Sequence, residues 1–251
     1  MAIGMPACAV PAVGVASRTG TDGTNADAAH AFHASTGAVG AAVIDGIGHS
    51  DQLHALVPVL AVTAARTAAI RWPLAGLLTA GLLTCDPGYD DARPSAVAVV
   101  ARVQAGEPTT LAWAGDARAY GWDPQLQLQL QLQLLTRYTT DHTVAAYLAA
   151  YGIEEDIAGE FSSQIRVHLT DVTPATAHQA LIPCGHLVVL TSDGVHDQIE
   201  PEDLDAIIRT HQHDAQRLAD NLVAAAEPNE SGYRDDATAL VIIPAQTTPS
   251  G

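Results

Sequence analysis

Residues 37–50 read GAVGAAVIDGIGHS, a run of small and β-branched residues that stops at the adjacent pair Asp45-Gly46. Glycine at its start and its end, with Val and Ile between, predicts a β-strand over 38–44 that delivers a carboxylate at its tip. The same device returns along the chain. HLVVLTSDG (186–194) ends at Asp193-Gly194, and TLAWAGD (110–116) ends in the reversed order Gly115-Asp116. A carboxylate at a strand end is carried on a rigid element, and a neighbouring glycine lets a backbone carbonyl approach a cation closely. Hard oxygen donors of this kind suit Mg²⁺ or Mn²⁺ rather than zinc. Asp235 and Asp236 precede the apolar run ATALVII (237–243), and Asp27 stands in TNADAAHAF (24–32), just before the first Asp-Gly strand. One Asp-Gly pair is common in turns. Five such places in one chain point to a shared metal site.

Outward from these tips, further strand-like runs fall at about 8–16, 95–104, 109–114, 117–122 and 186–192. Helical spacing appears over 50–72, with Ser50 as cap, and over 73–85, where Pro73 suits a first turn. It returns over 143–151 before Gly152, then over 201–209 and 214–226. Strands and helices come in blocks, which predicts an α+β fold with antiparallel sheets. No linker-like stretch divides the chain, so 1–251 reads as a single domain. Residues 125–134 are QLQLQLQLQL, a period of two that puts every Leu on one face of a hairpin arm. The plain reading is a low-complexity expansion covered by the chain's own helices; the other is an edge that docks a partner.

All eleven basic residues are Arg, which excludes P-loop nucleotide hydrolysis, Schiff-base chemistry and Ser-Lys nucleophile pairs. The net charge of −17 argues against nucleic acid and anionic membrane as partners. Cys8, Cys85 and Cys184 show no C-x-x-C spacing, so neither a disulfide framework nor a thiolate zinc site is indicated, and a reducing cytoplasm is the expected compartment. The apolar run 55–65 is broken by Pro58 and Thr63, too short to span a bilayer, and 1–17 lacks the basic start of a secretion signal. Of eleven histidines, no two pairs stand at complementary zinc spacings, and Ser17, Ser50 and Ser192 sit in no nucleophile elbow.

Six short motifs in order, N-A-D (25–27), D-G-I-G (45–48), A-G-D-A-R-A-Y (114–120), T-x-D-H-T (139–143), T-S-D-G-V-x-D (191–197) and R-D-D-A-T (234–238), carry a resemblance over nearly the whole chain. The chain resembles the metal-dependent protein serine/threonine phosphatases of type 2C, the PPM family, in their bacterial form. The resemblance implies a four-layer α/β/β/α sandwich with two antiparallel sheets and a dinuclear metal site at one end. It implies two Mn²⁺ or Mg²⁺ ions and a weaker third. Asp45 would bridge the two ions, the Gly46 carbonyl would bind the second, and Asp193 and Asp235 would hold the first. Asp27 would orient metal-bound water from behind, Asp197 would act likewise, and Asp116 with Asp193 would hold the third ion. The reaction implied is hydrolysis of phosphoserine or phosphothreonine by a metal-activated water, in a monomer that opposes a serine/threonine kinase. A variable flap is expected at about 152–175.

Two departures accompany the resemblance. Asp22 stands where the family usually has a phosphate-gripping Arg, which leaves Arg18 as the nearest candidate for substrate binding. After the first Asp-Gly, Ile47-Gly48-His49-Ser50 departs from the family's usual continuation. The alternatives are a catalytically weak or inactive regulatory module, motivated by the missing Arg, and a small-molecule phosphomonoesterase.

Overall fold

The computed structural model describes residues 10–21, 23–84, 94–124, 135–153 and 159–245. The Gln-Leu repeat, Asp22, Cys8 and Cys85 lie outside the described residues, as do 154–158 of the expected flap.

Among the described residues ten strands form two five-stranded antiparallel sheets. The first runs β1 (Ala12–Arg18), β10 (Ala237–Ile243), β9 (Leu187–Thr191), β6 (Arg118–Trp122) and β7 (Leu135–Arg137). The second runs β2 (Asp27–His33), β3 (Val39–Ile47), β4 (Ser95–Val103), β5 (Thr109–Ala114) and β8 (His178–Ile182). Helices α1 (Asp51–Ile70) and α2 (Pro73–Thr84) cover the outside of the second sheet. Helices α5 (Pro201–His211) and α6 (Ala215–Ala225) cover the first, while α3 (Val144–Ala150) and the single turn α4 (Asp193–His196) lie between strands in the chain. This is the expected four-layer sandwich.

The period-two pleat sorts each strand between two cores. In β3 and β4, Val39, Ala41, Val43, Val97, Val99 and Ala101 face the other sheet, whereas Ala42, Ile44, Ala98 and Val100 face α1 and α2. The first sheet repeats this, with Val188, Leu190, Leu240 and Ile242 inward and Val189, Ala239 and Val241 under α5 and α6. The same count places the chemistry. Asp45 follows Val43 by two residues and so belongs to the face between the sheets, and Asp27 on β2 is its register partner across the ladder.

Helix α1 starts where expected, with Ser50 Oγ accepting the Leu53 N–H at 3.2 Å. Pro58 lies inside the helix, as the expected span over 50–72 implied, and on its exposed side. By length and composition alone α1 could cross a membrane, yet Leu53, Val57, Leu60, Ala64 and Ala68 are buried in the core beneath it. Three strands were not anticipated: β2, β7 and β8. Strand β1 is also displaced toward the C-terminus of its expected range.

Candidate metal centre

At one end of the sandwich a cavity of about 240 Å³ opens between the sheets, lined by Asp27, Asp45, Gly46, Asp116, Asp193 and Asp235, with Asp236, His49, Ser163, Ile165 and Tyr233 around them. Four strand tips contribute: the start of β2, the end of β3, the turn after β9 and the residues before β10. Asp116 comes from the β5–β6 turn. Among the described residues no Arg or Lys lines it. A larger cavity of about 510 Å³ lies at the opposite ends of the same strands, among Trp122, Cys184, His186 and His213, and contains none of the strand-tip acids. Of the two, the smaller one gathers the strand-tip acids.

The backbone around the acids is fixed. A Cβ on Gly46 would fall 2.5 Å from the Ala26 carbonyl oxygen, whose acceptor role the Gly46 N–H already uses at 3.0 Å. Gly115 has φ +93°, and a Cβ there would lie 2.1 Å from Val97 Cγ1, so only glycine turns the chain into Asp116. Ser192 Oγ donates to Asp27 Oδ2 at 2.6 Å and accepts the Thr238 N–H at 3.0 Å. Asn25 Oδ1 accepts the Asp27 N–H at 2.9 Å, and Asp235 Oδ1 accepts the Asp236 N–H at 2.8 Å.

Burial first, then the charges of Asp193, Asp27, Asp116 and Asp235, hold Asp45 well above the usual carboxylate range. Asp27 is also held well above it by burial, against the hydrogen bonds from Ser192 and Thr238, with Asp193 and Asp236 adding repulsion. Burial, Asp116, Asp235 and Asp197 push Asp193 up to about 7, and burial with Asp141 pushes Asp116 up to about 6. Buried carboxylates without a cation are costly, and either protons or metal ions relieve that cost. All-oxygen donors, high negative potential and a cavity of this size fit small hard cations. Among the described residues no three acids or imidazoles are drawn around one point, so the fit lies in donor type and charge, not in a ready coordination shell.

Two expected site residues stand elsewhere. Arg18 alternates with Ser17 on β1, faces the α5–α6 side and donates Nη2 to the Ala226 carbonyl, so it is not brought to the cavity. Asp197 lies outside the cavity lining, with Arg118 Nη1 at 3.4 Å and His196 Nε2 at 3.7 Å from its Oδ1. In the described part of the expected flap, Ser163 and Ile165 reach the cavity while Leu169 is buried in the core that α2 covers.

Other residues prove to matter whose roles were not read from the sequence. Asp236 is buried and accepts the N–H groups of Gly20 and Ala26, each at 2.6 Å, clasping the loop before Asp27 to the start of β10. His142 Nδ1 accepts the Gly115 N–H at 3.2 Å while the His142 N–H donates to the Gly115 carbonyl at 2.9 Å. Burial, then His178, lowers this imidazole to about 4, which keeps it neutral as an acceptor. Both residues stood inside the quoted motifs; only spatial pairing reveals what they hold.

No protein-family model matches the chain, and no curated protein sequence matches it. Solved structures do. The PPM Ser/Thr phosphatase MsPP of Mycobacterium smegmatis superposes with a TM-score of 0.73 at 20% identity, over 94% of this chain and 100% of that one. The S. agalactiae serine/threonine phosphatase gives a TM-score of 0.75 at 17% identity, over 93% and 99%. The chain has the PPM phosphatase fold. The catalytic domain of the phosphatase PstP, solved with two manganese ions, shares that fold with a TM-score of 0.69 at 20% identity, over 93% and 98%. At such identities the PPM likeness speaks for architecture, and the cavity speaks for chemistry.

Proposed function

We propose that this protein is a Mn²⁺- or Mg²⁺-dependent phosphatase that hydrolyses phosphoserine and phosphothreonine in proteins, removing what a serine/threonine kinase adds. One observation carries the reading: Asp27, Asp45, Asp116, Asp193 and Asp235 converge on one cavity, and among the described residues no guanidinium or ammonium lines it. The PPM fold and the two manganese ions of PstP support it.

Asp45, Asp193, Asp235 and the Gly46 carbonyl would hold two cations, with Asp116 and Asp193 facing a weaker third. When bound, such ions neutralise phosphoryl oxygens and lower the pKa of water for in-line displacement. The protein's own part is positional. Ser192 and Asn25 fix Asp27 so that its second oxygen can orient a water at the cavity mouth. The Asp236 clasp sets the loop leading into Asp27, and the Gly115 turn aims Asp116. With Arg18 turned away, phosphate binding rests on the cations and the cavity rim, which predicts a high KM.

Hydrolysis of p-nitrophenyl phosphate and of phosphoserine and phosphothreonine peptides, with Mn²⁺ and after chelation, tests the reading. Mn²⁺-dependent turnover of the peptides is expected; turnover undiminished in excess chelator overturns the reading.

A further inference from the structure

Strand β2 is the end strand of its sheet, and one side of its backbone is unpaired among the described residues. The Gly46 N–H donates to the Ala26 carbonyl at 3.0 Å and the Ala34 N–H to the Ala38 carbonyl at 2.9 Å, one step beyond each end of the β2–β3 register. Hydrogen-bonded pairs alternate along an antiparallel ladder, so the even-numbered residues of β2 bond to β3, and the N–H and C=O groups of Ala29, Ala31 and His33 point away from it. Among the described residues no hydrogen bond reaches these outward groups. The first sheet treats its end strand β1 differently. Gln216 Oε1 accepts the Val15 N–H at 3.1 Å and its Nε2 donates to the Val15 carbonyl at 2.8 Å, filling the edge as a further strand would. Strand β2 opens at Asp27 in the acid cavity, and five residues on, Phe32 lies beneath the Arg66 guanidinium, whose Cζ is 4.9 Å from the ring centroid. Arg66 is exposed, and no ion pair of the described residues involves it.

We propose that the open edge of β2 binds the substrate polypeptide: an extended stretch of phosphoprotein adds to the sheet as a further strand, antiparallel to β2, and delivers its phosphoresidue into the acid cavity. This deepens the phosphatase reading and rests on it. Antiparallel addition continues the pattern of the sheet that is joined, and such pairing is the more stable per residue. Strand β2 runs away from the cavity, so an antiparallel partner runs toward it, and the residues N-terminal to the phosphoserine or phosphothreonine lie on the edge. Main-chain hydrogen bonds to Ala29, Ala31 and His33 then supply an affinity that a small phosphate ester, held only by the cations and the rim, does not gain. Phe32 stands about 17 Å along the strand from Asp27. Arg66 therefore meets the side chain about five positions before the phosphoresidue, and as a guanidinium without a carboxylate it selects Asp or Glu there.

The experiment measures hydrolysis in saturating Mn²⁺ of p-nitrophenyl phosphate, of a phosphothreonine tripeptide, and of peptides that extend the tripeptide on its N-terminal or its C-terminal side past the length of β2. The N-terminal extension is expected to lower KM by about tenfold or more, and the C-terminal one by less than about twofold. Ala31→Pro removes an outward donor without touching the β3 ladder, so it should cancel the gain from the N-terminal extension and leave p-nitrophenyl phosphate and the tripeptide within about twofold of wild type. N-methylation of alternate residues in the extended peptide asks the same of the wild-type protein and decides the matter if Ala31→Pro does not fold: one alternate set should raise KM by about tenfold and the other by less than about twofold. Exchanging Glu for Gln five residues before the phosphothreonine should raise KM about threefold in the wild type and have no effect in Arg66→Gln. No gain from the N-terminal extension, a gain that survives Ala31→Pro, N-methyl sets that act alike, or a Glu preference unchanged in Arg66→Gln overturns the proposal. Absence of Mn²⁺-dependent turnover of the tripeptide would instead overturn the phosphatase reading itself.

Discussion

Two sets of aspartates share one end of the sandwich, and the chain treats them differently. Asp27, Asp45 and Asp193 end or begin strands, face the space between the sheets and meet mainly one another. Asp141 and Asp197, a few residues away in space, are met by Arg118 and Arg137. For Arg118 burial works against the charged form, yet the bonds to Asp141 prevail and hold it above its ordinary range. The contrast teaches where an outside cation is required. A carboxylate with a guanidinium partner is already satisfied, whereas one that meets only other carboxylates must stay protonated or recruit a metal. Substitutions that exchange these conditions are the way to break the comparison.

The largest effect belongs to the unpaired set. Asp45→Ala, Asp193→Ala and Asp235→Ala should each lower turnover of p-nitrophenyl phosphate in saturating Mn²⁺ by on the order of a hundredfold or more, since each removes a proposed ion ligand. Circular dichroism should show the fold retained. Wild-type rates in any of them would remove that residue from the site.

A smaller loss is expected where a carboxylate serves the backbone. Asp236→Asn replaces one acceptor by a donor against the N–H of Gly20 or Ala26, so stability should fall by about 1.5–3 kcal/mol in urea unfolding, the range for a hydrogen bond to a charged group. Turnover should suffer less than in Asp235→Ala. The loop would be shown not to depend on the clasp by an unchanged urea midpoint.

The unpaired acids also fix a pH dependence. Their folded pKa values are raised, so the folded state holds protons that an unfolded aspartate near 3.8 has already released, and stability falls as pH rises through the folded values. With Asp193 at about 7 and Asp116 at about 6, the metal-free protein should lose on the order of 1 kcal/mol between pH 6 and 8. His142 and His196, both lowered first by burial, act in the opposite sense, but their contribution is lost only as pH falls below their unfolded value near 6.5. Thermal melts at the two pH values, in chelator and in Mn²⁺, read the effect. Mn²⁺ should cancel or reverse the trend; a metal-free melting point that rises toward pH 8 would mean that the acids are not coupled as described.

The smallest effect is expected at Arg18. Its guanidinium faces the Ala226 carbonyl, so Arg18→Ala should leave KM within about twofold and cost on the order of 1 kcal/mol of stability. A strong rise in KM would return Arg18 to the phosphate.

Much of this was legible in the sequence because the deciding features are local. The strand tips at Asp45, Asp116, Asp193 and Asp235, the Ser50 cap and Pro73 opening α2 each stand beside the residues that give them meaning. What escaped depends on distant partners. Strand β2, DAAHAFH, is built from Ala and His, poor strand formers, and is held as an edge by its register with β3. Arg118 and Asp141 are 23 residues apart, and Asp236 meets loop atoms more than 200 residues away. The direction of Arg18 follows from strand parity, which a short run ending in Ala-Ser-Arg does not reveal without knowing which face meets α6. Pro58 interrupts the apolar run, yet the helical spacing read over 50–72 already passed through it, and α1 does so with Pro58 on its exposed side.

On this reading the unpaired strand-tip acids form a two-cation centre. Anomalous diffraction at the manganese edge, from crystals grown with Mn²⁺, tests it most directly. Two strong peaks are expected in the 240 Å³ cavity, within bonding reach of Asp45, Asp193 and Asp235. An empty cavity in such crystals, or peaks only at the far end among His186 and His213, would contradict it.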